Sequence, residues 1–309
     1  MNRFKRTAAV MLAAALILSL TACGDRKPPG SSSSSTLQTT SAPQTSTPET
    51  SSQPETSLPS SSSGSEPATP TMSADFAALA ALDSKPQGWG PGGPVDDRNR
   101  SVGSLQFNKK YGKYNAAFIN EESDHIYLTF DQGYENGYTP PILDTLKEKE
   151  IRAIFFLTYD YAKRNAELVQ RMIDEGHVIA NHSWSHASMP NLPLEKAFED
   201  TKNMHDYIVE HFGYTMNLYR FPSGEFNEQT LALMQSLGYK SVFWSFAYRD
   251  WEVDNQPDPA ASLKKIVDSA HPGGIYLLHS VSKTNAEILD DVIDQMRARG
   301  FVFGDPSDI

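Results

Sequence analysis

The chain has 309 residues, a formal net charge of -11, 21% charged side chains and one cysteine. Lys and Arg do not cluster beyond the N-terminal segment, whereas a nucleic-acid-binding domain normally carries a basic patch. These properties exclude nucleic acid as a partner and exclude a disulfide within the chain.

Residues 1–22 have the pattern of a secretory signal peptide. Arg3, Lys5 and Arg6 precede an apolar run over residues 8–20, and a basic start followed by a short apolar core and small residues is typical of exported proteins. The run is shorter than the roughly 20 apolar residues that span a bilayer. A tilted transmembrane anchor is the alternative.

Cys23 follows Leu20-Thr21-Ala22, a sequence that resembles a bacterial lipoprotein signal. The resemblance implies cleavage before Cys23 and lipid attachment to its sulfur. Two or more acyl chains anchor a protein stably to a membrane. We therefore expect an exported protein, lipid-anchored to the outer face of the cytoplasmic membrane.

Residues 23–73 form a low-complexity linker rich in Ser, Thr and Pro. Such a composition buries too little apolar surface to offset the entropy lost on ordering. We expect a disordered spacer, and a glycosylated stalk is the alternative. Residues 74–123 are predicted to form an N-terminal extension that packs on the following domain, with a short helix over 74–82 and irregular structure over 88–97.

Short apolar strands alternate with helical segments about seven times over residues 124–305. The predicted strands cover residues 126–130, 151–157, 178–180, 218–221, 241–246, 274–278 and 301–303. Strands that are apolar on both faces and separated by helices predict a parallel α/β architecture. We expect a distorted (β/α) barrel of about seven strands. An open doubly wound sheet is the alternative, although no Gly-rich phosphate loop follows the first strand.

Chemically useful side chains follow five of these strands at their carboxyl ends. They are Asp131 and Gln132, His182 and His186, Arg220, Asp250, and His279. Because β/α barrels gather their active sites at this rim, we expect these side chains to converge.

Each of these residues also has an ordinary structural explanation when it is taken alone. His182 and His186 are four residues apart, a spacing that suits two metal ligands if the segment is helical, but surface histidines are common. Arg220 in an apolar strand needs a carboxylate partner if it is buried. Asp131 could cap a loop, and His279 could be a hydrogen-bonded core histidine.

Five motifs resemble those of the polysaccharide deacetylase family, also called the NodB-homology domain or carbohydrate esterase family 4. In family order they are Thr129–Gly133 (TFDQG), His182–His186 (HSWSH), Arg220–Pro222 (RFP), Asp250-Trp251 and Leu277–His279 (LLH). Longer stretches resemble the muramic acid de-N-acetylase branch, the δ-lactam-biosynthetic enzymes of spore-forming bacteria. These stretches are TFDQGYENGYT (129–139), VFWSFA (242–247) and AHPGGIYLL (270–278).

The resemblance implies a polysaccharide deacetylase that hydrolyses acetyl amides with a divalent cation as cofactor. In the implied roles, His182 and His186 hold the cation, Asp131 removes a proton from the attacking water, and His279 protonates the leaving nitrogen. The cation would polarise the acetyl carbonyl and lower the pKa of the bound water.

The resemblance also implies supporting roles for the remaining motif residues. Arg220 would orient Asp131, and Asp250 would orient His279 and support its protonated form. We expect Trp184, Pro222 and Trp251 to contact substrate. For the two tryptophans, ordinary core packing is the alternative.

Gln132 departs from the family pattern, in which an Asp at this position ligates the metal. A Gln amide can ligate a metal through its oxygen, but it carries no charge. Two imidazoles and an amide would compensate a divalent cation poorly. With Gln132 as the third ligand we therefore expect weaker metal binding than in the family at large, or a harder and more exchangeable ion than zinc, unless Gln132 contacts substrate instead.

The expected function is deacetylation of N-acetylmuramic acid in peptidoglycan glycan strands by a monomeric enzyme. Within the same class, deacetylation of N-acetylglucosamine or other acetylated glycans and cleavage of sugar O-esters are alternatives. A catalytically weak, glycan-binding lipoprotein is an alternative from another class. Gln132 favours this last alternative, whereas the presence of both Asp131 and His279 disfavours it.

Overall fold

The computed structural model describes residues 72–309. The predicted signal peptide, Cys23 and all but the last two residues of the predicted linker lie outside the described residues. Of the helices in residues 72–309, none is long and apolar enough to cross a membrane.

Ten short strands and nine α-helices make up the described part of the chain. The strands are β1 (Gln87–Gly88), β2 (Ala116–Ala117), β3 (Tyr127–Gln132), β4 (Ile154–Leu157), β5 (Val178–Asn181), β6 (Leu218–Tyr219), β7 (Glu225–Phe226), β8 (Lys240–Val242), β9 (Phe246–Ala247) and β10 (Ile275–His279). The helices are α1 (Phe76–Ala80), α2 (Val102–Tyr111), α3 (Thr139–Glu148), α4 (Tyr159–Arg164), α5 (Ala166–Asp174), α6 (Leu194–Phe212), α7 (Glu228–Ser236), α8 (Pro259–Asp268) and α9 (Lys283–Ala298).

Eight strands form one parallel sheet in the order β2-β8-β6-β5-β4-β3-β10-β9. β8 and β9 belong to one segment, residues 240–247. β8 pairs with β6 and β2, whereas β9 pairs with β10. This segment therefore joins the two ends of the sheet into a distorted barrel. The predicted fold class is confirmed.

The sheet is buried because helices cover it. Every residue of β3 and β4 is buried, as expected for parallel strands inside an α/β fold. The rings of Phe130 on β3 and Phe155 on β4 stack with centroids 5.2 Å apart. This packing leaves the carboxyl ends of the strands as the rim where polar side chains can gather.

Polar caps fix where several helices begin. The side chain of Asn227 accepts the N–H of Thr230 while the Thr230 side chain accepts the N–H of Asn227, which makes a capping box at α7. The Ser282 hydroxyl accepts the N–H of Asn285 at the start of α9. Helix α3 begins at Thr139 with Pro140 in its first turn, and Tyr138 before it makes no side-chain cap.

The predicted last strand over residues 301–303 is wrong. The structure has only a single bridge there, between Ile126 and Phe303. The next residue, Gly304, lies so close to the ring of Tyr127 that an added Cβ would be 2.4 Å from it. The chain thus passes closely under β3 at one point instead of pairing along it.

The predicted strand over residues 241–246 divides into β8 and β9, because the segment changes partners midway. Phe243 still donates its N–H to the carbonyl of Ala117, whereas Ser245 donates its N–H to the carbonyl of Ile275 beside the other end of the sheet. One apolar run of the sequence therefore contributes two strands, β8 and β9, and together they close the barrel.

The N-terminal part of the described chain packs on the barrel. α1 contacts α6 and α7, with the rings of Phe76 and Phe198 5.7 Å apart. β1 pairs antiparallel with β7, and the indole N–H of Trp89 donates to the carbonyl of Trp244 at 2.9 Å. β2 belongs to the main sheet although it lies within the range predicted as the extension, residues 74–123.

Candidate active site

A cavity of about 780 Å³ opens at the carboxyl ends of the strands, where β/α barrels hold their active sites. Its volume lies within the range of small-molecule pockets. Five of its polar lining residues come from the predicted motifs, namely Asp131, His182, Ser185, His186 and His279. Its aromatic lining residues are Trp89, Tyr134, Trp184, Trp244 and Trp251.

Arg220 lies directly after β6 and is fully buried. Its Nη1 donates to Oδ1 of Asp131 and to Oγ1 of Thr129, both at 2.8 Å. Its Nε and Nη2 donate to the carbonyls of Val242 (2.9 Å) and Phe243 (3.0 Å). The guanidinium therefore has a carboxylate partner and fixes the orientation of Asp131.

Asp131 is held in its ionised form. Burial opposes ionisation, but the charges of Arg220, His182 and His279 outweigh it and hold the pKa of the Asp131 carboxyl below its usual range. Burial also lowers the pKa of Arg220, yet a guanidinium starts so far above neutral pH that it stays protonated. At neutral pH, Asp131 is thus a carboxylate able to accept a proton.

His182 follows β5 and presents a free ring nitrogen to the cavity. Its Nδ1 lies 2.9 Å from the carbonyl oxygen of Arg220, and because a carbonyl only accepts, Nδ1 carries the proton. Nε2 is left with its lone pair, 3.5 Å from Oδ2 of Asp131. Burial lowers the pKa of His182 to about 4, so the imidazole is neutral at physiological pH.

The two histidines of the HSWSH motif come together without a helix. Their ring centroids lie 5.0 Å apart. The backbone is left-handed at Ser183 (φ 75°) and at His186 (φ 53°), so the helical geometry considered for this spacing is wrong. A tight loop brings the two rings together instead.

Asp200 on α6 holds this loop in place. Its carboxylate accepts the N–H of Trp184 at 2.8 Å and, from Ser185, the N–H at 3.1 Å and the hydroxyl at 2.5 Å. The Ser183 hydroxyl accepts the N–H of His186 at 2.8 Å. No sequence motif indicates Asp200, which is one of several acidic residues on α6.

His279 at the end of β10 is paired with the fully buried Asp250. The ring Nδ1 lies 2.7 Å from Oδ1 of Asp250, and the backbone N–H donates to Oδ2 at 2.9 Å. The Asn285 amide donates to Oδ2 of Asp250 at 2.6 Å and to the carbonyl of His279 at 3.1 Å. The Tyr248 hydroxyl donates to the Asn285 oxygen. Asn285, which no motif assigned to the site, thus locks the pair.

The pairing sets the charge of His279. Burial favours the neutral ring, but the charge of Asp250 and its hydrogen bond outweigh burial, with a further contribution from Asp131, and raise the pKa of His279 above its ordinary value. Nδ1–H points at Asp250, so Nε2 is the nitrogen available to a ligand in the cavity. The geometry suits a proton donor at this position.

Gln132 was predicted as a metal ligand, but it is fully buried and its amide nitrogen donates to the Ser280 hydroxyl at 2.5 Å. Its amide oxygen has no hydrogen-bond partner among the described residues. Residues 72–309 contain no group of three or more His, Cys, Asp or Glu side chains arranged to hold a metal. Two imidazoles beside the Asp131 carboxylate nevertheless fit a divalent cation that completes its coordination with water or substrate.

Pro222 was predicted to contact substrate, but it is buried, and the next residue, Ser223, lines the cavity. Ser223 has a left-handed backbone (φ 55°), which is uncommon for a residue other than Gly. Its N–H donates to no acceptor among the described residues. Ser223 therefore brings to the cavity lining a backbone donor that has no partner among the described residues.

The two predicted tryptophans both line the cavity. Trp184 stacks on Tyr159 with ring centroids 3.4 Å apart, so one of its faces is already covered. Trp251 is 48% exposed, and its ring lies 5.6 Å from that of His279. Trp251 is therefore free to contact a ligand beside the reacting groups.

Comparison with known proteins agrees with this geometry. Residues 119–242 match the family model for polysaccharide deacetylase. The chain is 38% identical to the peptidoglycan-N-acetylmuramic acid deacetylase PdaA of Bacillus subtilis, over 75% of this chain and 89% of that protein. It is 30% identical to the peptidoglycan-N-acetylglucosamine deacetylase PgdA of Listeria monocytogenes, over 58% of this chain and 37% of that protein.

Solved structures give the same result. The structure of B. subtilis PdaA, a family 4 carbohydrate esterase, superposes with a TM-score of 0.69 at 36% identity, covering 74% of this chain and 97% of that one. A family 4 carbohydrate esterase from Bacillus anthracis superposes with a TM-score of 0.61 at 38% identity and the same coverage.

Proposed function

The chain belongs to the polysaccharide deacetylase family, and from that membership we propose that it hydrolyses N-acetyl groups on amino sugars of peptidoglycan, N-acetylmuramic acid above all. One observation carries the proposal. β3 and β10 pair in register so that Asp131 and His279 are direct neighbours, one held as a carboxylate and the other favoured as an imidazolium. A base and an acid with pKa values pushed apart are what amide hydrolysis needs.

Amide hydrolysis needs a proton removed from water and a proton given to the leaving nitrogen. Asp131, oriented by Arg220, accepts the proton from the attacking water. His279 donates a proton from Nε2 to the departing amine, and Asp250 supports its charged form. The free N–H of Ser223 at the cavity wall is placed to stabilise the negative oxygen that develops on the acetyl carbon.

A divalent cation is part of the proposal. His182 and His186 would hold it, and when bound it would polarise the acetyl carbonyl and lower the pKa of the attacking water. Gln132 stays a predicted third ligand, because its amide nitrogen is bound to Ser280 while its amide oxygen has no hydrogen-bond partner among the described residues. Neutral imidazoles do not compensate the charge of a divalent cation. We therefore expect the cation to bind weakly and to exchange with solvent.

The preference for muramic acid is supported by the relative that matches over the greater length. PdaA of B. subtilis matches over 89% of its own length, whereas PgdA of L. monocytogenes matches over 37% of its length. N-acetylglucosamine is the second candidate because of the PgdA relative. The amine that deacetylation exposes on a muramic residue can condense with the lactyl carboxyl of the same residue, with loss of water, to form a δ-lactam.

We also propose that the protein is exported as a monomer and anchored to the membrane through Cys23. Support for this comes from the sequence, in which a signal-like segment ends at the sole cysteine and the Ser/Thr/Pro-rich stretch follows it. A lipid anchor and a long linker would place the cavity at the cell wall, within reach of glycan strands.

The test is acetate release from purified peptidoglycan glycan strands. We expect wild-type protein to release acetate, Asp131→Asn to release at least about a hundredfold less, and a chelator to suppress the wild-type rate until a divalent cation is restored. Acetate release that ignores the chelator would overturn the role of the cation. Release of no acetate from any glycan, with or without added cation, would leave the weak glycan-binding alternative.

A further inference from the structure

Tyr134 is a large side chain that no part of the proposed chemistry uses. It is 50% exposed and lines the cavity, on the loop that follows β3. Only four large apolar or aromatic side chains of the described region are strongly exposed, and Tyr134 and Trp251 are the two of them that line the cavity. Two exposed aromatic rings at one cavity present apolar surface that a bound ligand would remove from water, which favours binding.

The loop that carries Tyr134 is held rigid. The Glu135 carboxylate accepts the N–H of Gly137 at 2.6 Å and the hydroxyl of Thr139, and the Tyr161 hydroxyl donates to it at 3.3 Å. Gly137 supplies the left-handed turn that this arrangement requires (φ 84°).

A second tie fixes the same loop from the other side. The amide of Asn136 donates to the carbonyl of Val281 at 3.2 Å, and Val281 itself lines the cavity. The two residues that follow Tyr134 are therefore both anchored, which holds the loop that carries its ring at the cavity rim before any ligand arrives. Such preorganisation lowers the entropy cost of binding.

The charge of the cavity indicates what the ring would contact. No Lys or Arg side chain lines the cavity as far as the described residues go, and its acidic lining residues are Asp131 and Asp160. Without Lys or Arg at the cavity, we expect contacts other than ion pairs with these side chains to hold the glycan strand. A neutral, hydroxylated ring with an apolar face can bind instead by lying flat on an aromatic side chain.

The two exposed aromatic rings line the same cavity from separate loops, one after β3 and one after β9. Trp251 lies 5.6 Å from the ring of His279 and so flanks the reacting group. Tyr134 is three residues beyond Asp131, on the loop that leaves the reacting carboxylate. A volume of about 780 Å³ is in the upper part of the usual range for ligand pockets, so there is room for more than the acetylated sugar.

We propose that Tyr134 forms a stacking subsite for the sugar adjacent to the one that loses its acetyl group. This proposal rests on the proposed function, because it assigns the ligand of the subsite as a glycan strand. Glu135 and Asn136 act as positioning residues that keep the Tyr134 ring at the rim.

The experiment compares Tyr134→Ala and Tyr134→Phe in the full chain, with glycan strands as substrate. We expect Tyr134→Ala to raise KM roughly five- to tenfold with kcat changed by less than about twofold, because only binding to the neighbouring sugar is lost. Tyr134→Phe keeps the ring and should keep KM within about twofold of wild type. Val302→Ala removes another strongly exposed apolar side chain, one outside this cavity, and should change neither constant.

A binding measurement separates failure of the subsite from failure of the proposed function. Glycan strands are titrated onto Asp131→Asn and onto Asp131→Asn/Tyr134→Ala by calorimetry, which needs no turnover. A weaker affinity of the double variant supports the subsite even if no variant releases acetate. Equal affinities, or an unchanged KM for Tyr134→Ala in an active enzyme, would overturn the subsite and leave the proposed function standing.

Discussion

Two buried carboxylates do different work in this site because their partners differ. Asp131 faces the Arg220 guanidinium at 2.8 Å and is held as an anion. Asp250 faces the ring of His279 at 2.7 Å and favours the protonated imidazole. The neighbours of Asp131 and His279 therefore set their charges, so that Asp131 acts as the base and His279 as the acid.

The charge on His279 predicts how the rate of acetate release depends on pH. Asp250 raises the pKa of His279 above the ordinary value of 6.5, so the proton donor stays charged at pH 6.5 and is lost as the pH rises through the raised pKa. Asp250→Asn removes the charge, while burial continues to favour the neutral ring. We expect the alkaline limb of the kcat profile to move down by about one pH unit or more.

The measurement is the pH profile of acetate release at saturating substrate for wild type and Asp250→Asn. The acidic limb, which reports the groups that must be deprotonated, Asp131 and His182, should stay in place and serves as the internal control. If the alkaline limbs of the two proteins coincide, His279 is not the proton donor that Asp250 tunes.

Arg220 links several strands of the sheet. Its hydrogen bonds reach from the end of β6 to β3 and to the segment that contains β8. Arg220→Met would leave the Asp131 carboxylate buried without its partner. Removal of one member of a buried ion pair costs about 3–5 kcal/mol. We expect this loss in the free energy of unfolding, measured by urea denaturation.

The matched control is the double variant Arg220→Met/Asp131→Asn, which removes both charges. It should recover part of the lost stability, since no uncompensated charge remains. Equal stability of the single variant and wild type would show that the Asp131 charge does not depend on Arg220.

The loop that carries His182 and His186 depends on α6 through Asp200. Asp200→Ala removes the acceptor for three donors of that loop, so the two rings lose their fixed separation. Loss of a residue that orients metal ligands typically costs 10–100-fold in affinity or activity. We expect acetate release to need a correspondingly higher cation concentration, and Glu195→Ala, another acidic residue of α6, is the control. An unchanged cation requirement would contradict this role.

The sequence predicts the elements of the fold better than their exact pairing. The alternation of apolar strands and helices was enough to predict the barrel. Strands that are buried on both faces are apolar along their whole length, and such runs are visible in the sequence. The division of residues 240–247 into two strands could not be predicted, since the change of partner from β6 and β2 to β10 is set by distant parts of the chain. The bridge at Phe303 depends likewise on contact with β3.

The motif residues could be predicted because they follow strands, whereas the residues that orient them lie on helices and loops. Asp200 and Asn285 look like ordinary polar residues in the sequence, and Glu135 lies in the TFDQGYENGYT stretch without an assigned role. Their roles arise from hydrogen bonds to partners up to 35 residues away, as for Asn285 and Asp250. The orientation of the Gln132 amide could not be predicted from the sequence either, because it depends on the position of Ser280.

At the scale of the whole molecule, the cavity is built by distant segments. Trp89 reaches it from the N-terminal part of the described chain, pinned to Trp244. Trp89 lies outside the 119–242 family match. The N-terminal segment is therefore part of the cavity wall and contributes directly to the site.

The proposed lipid anchor is tested by Cys23→Ser in the full chain expressed in a bacterium. Two acyl chains hold a protein on a membrane, whereas none remains without the thiol. We expect wild type in the membrane fraction and Cys23→Ser in the soluble fraction after separation by centrifugation and immunoblotting. Retention of Cys23→Ser in the membrane fraction would instead support the tilted transmembrane anchor.

The central claim is that this site removes acetyl groups from peptidoglycan amino sugars. The most direct measurement is mass spectrometry of glycan strands digested after incubation with wild type or Asp131→Asn. We predict a loss of 42 Da per modified sugar, the mass of one acetyl group exchanged for hydrogen, located on muramic residues and absent with Asp131→Asn. The same loss on glucosamine would change the substrate, and glycan unchanged by wild type in the presence of added cation would contradict the claim.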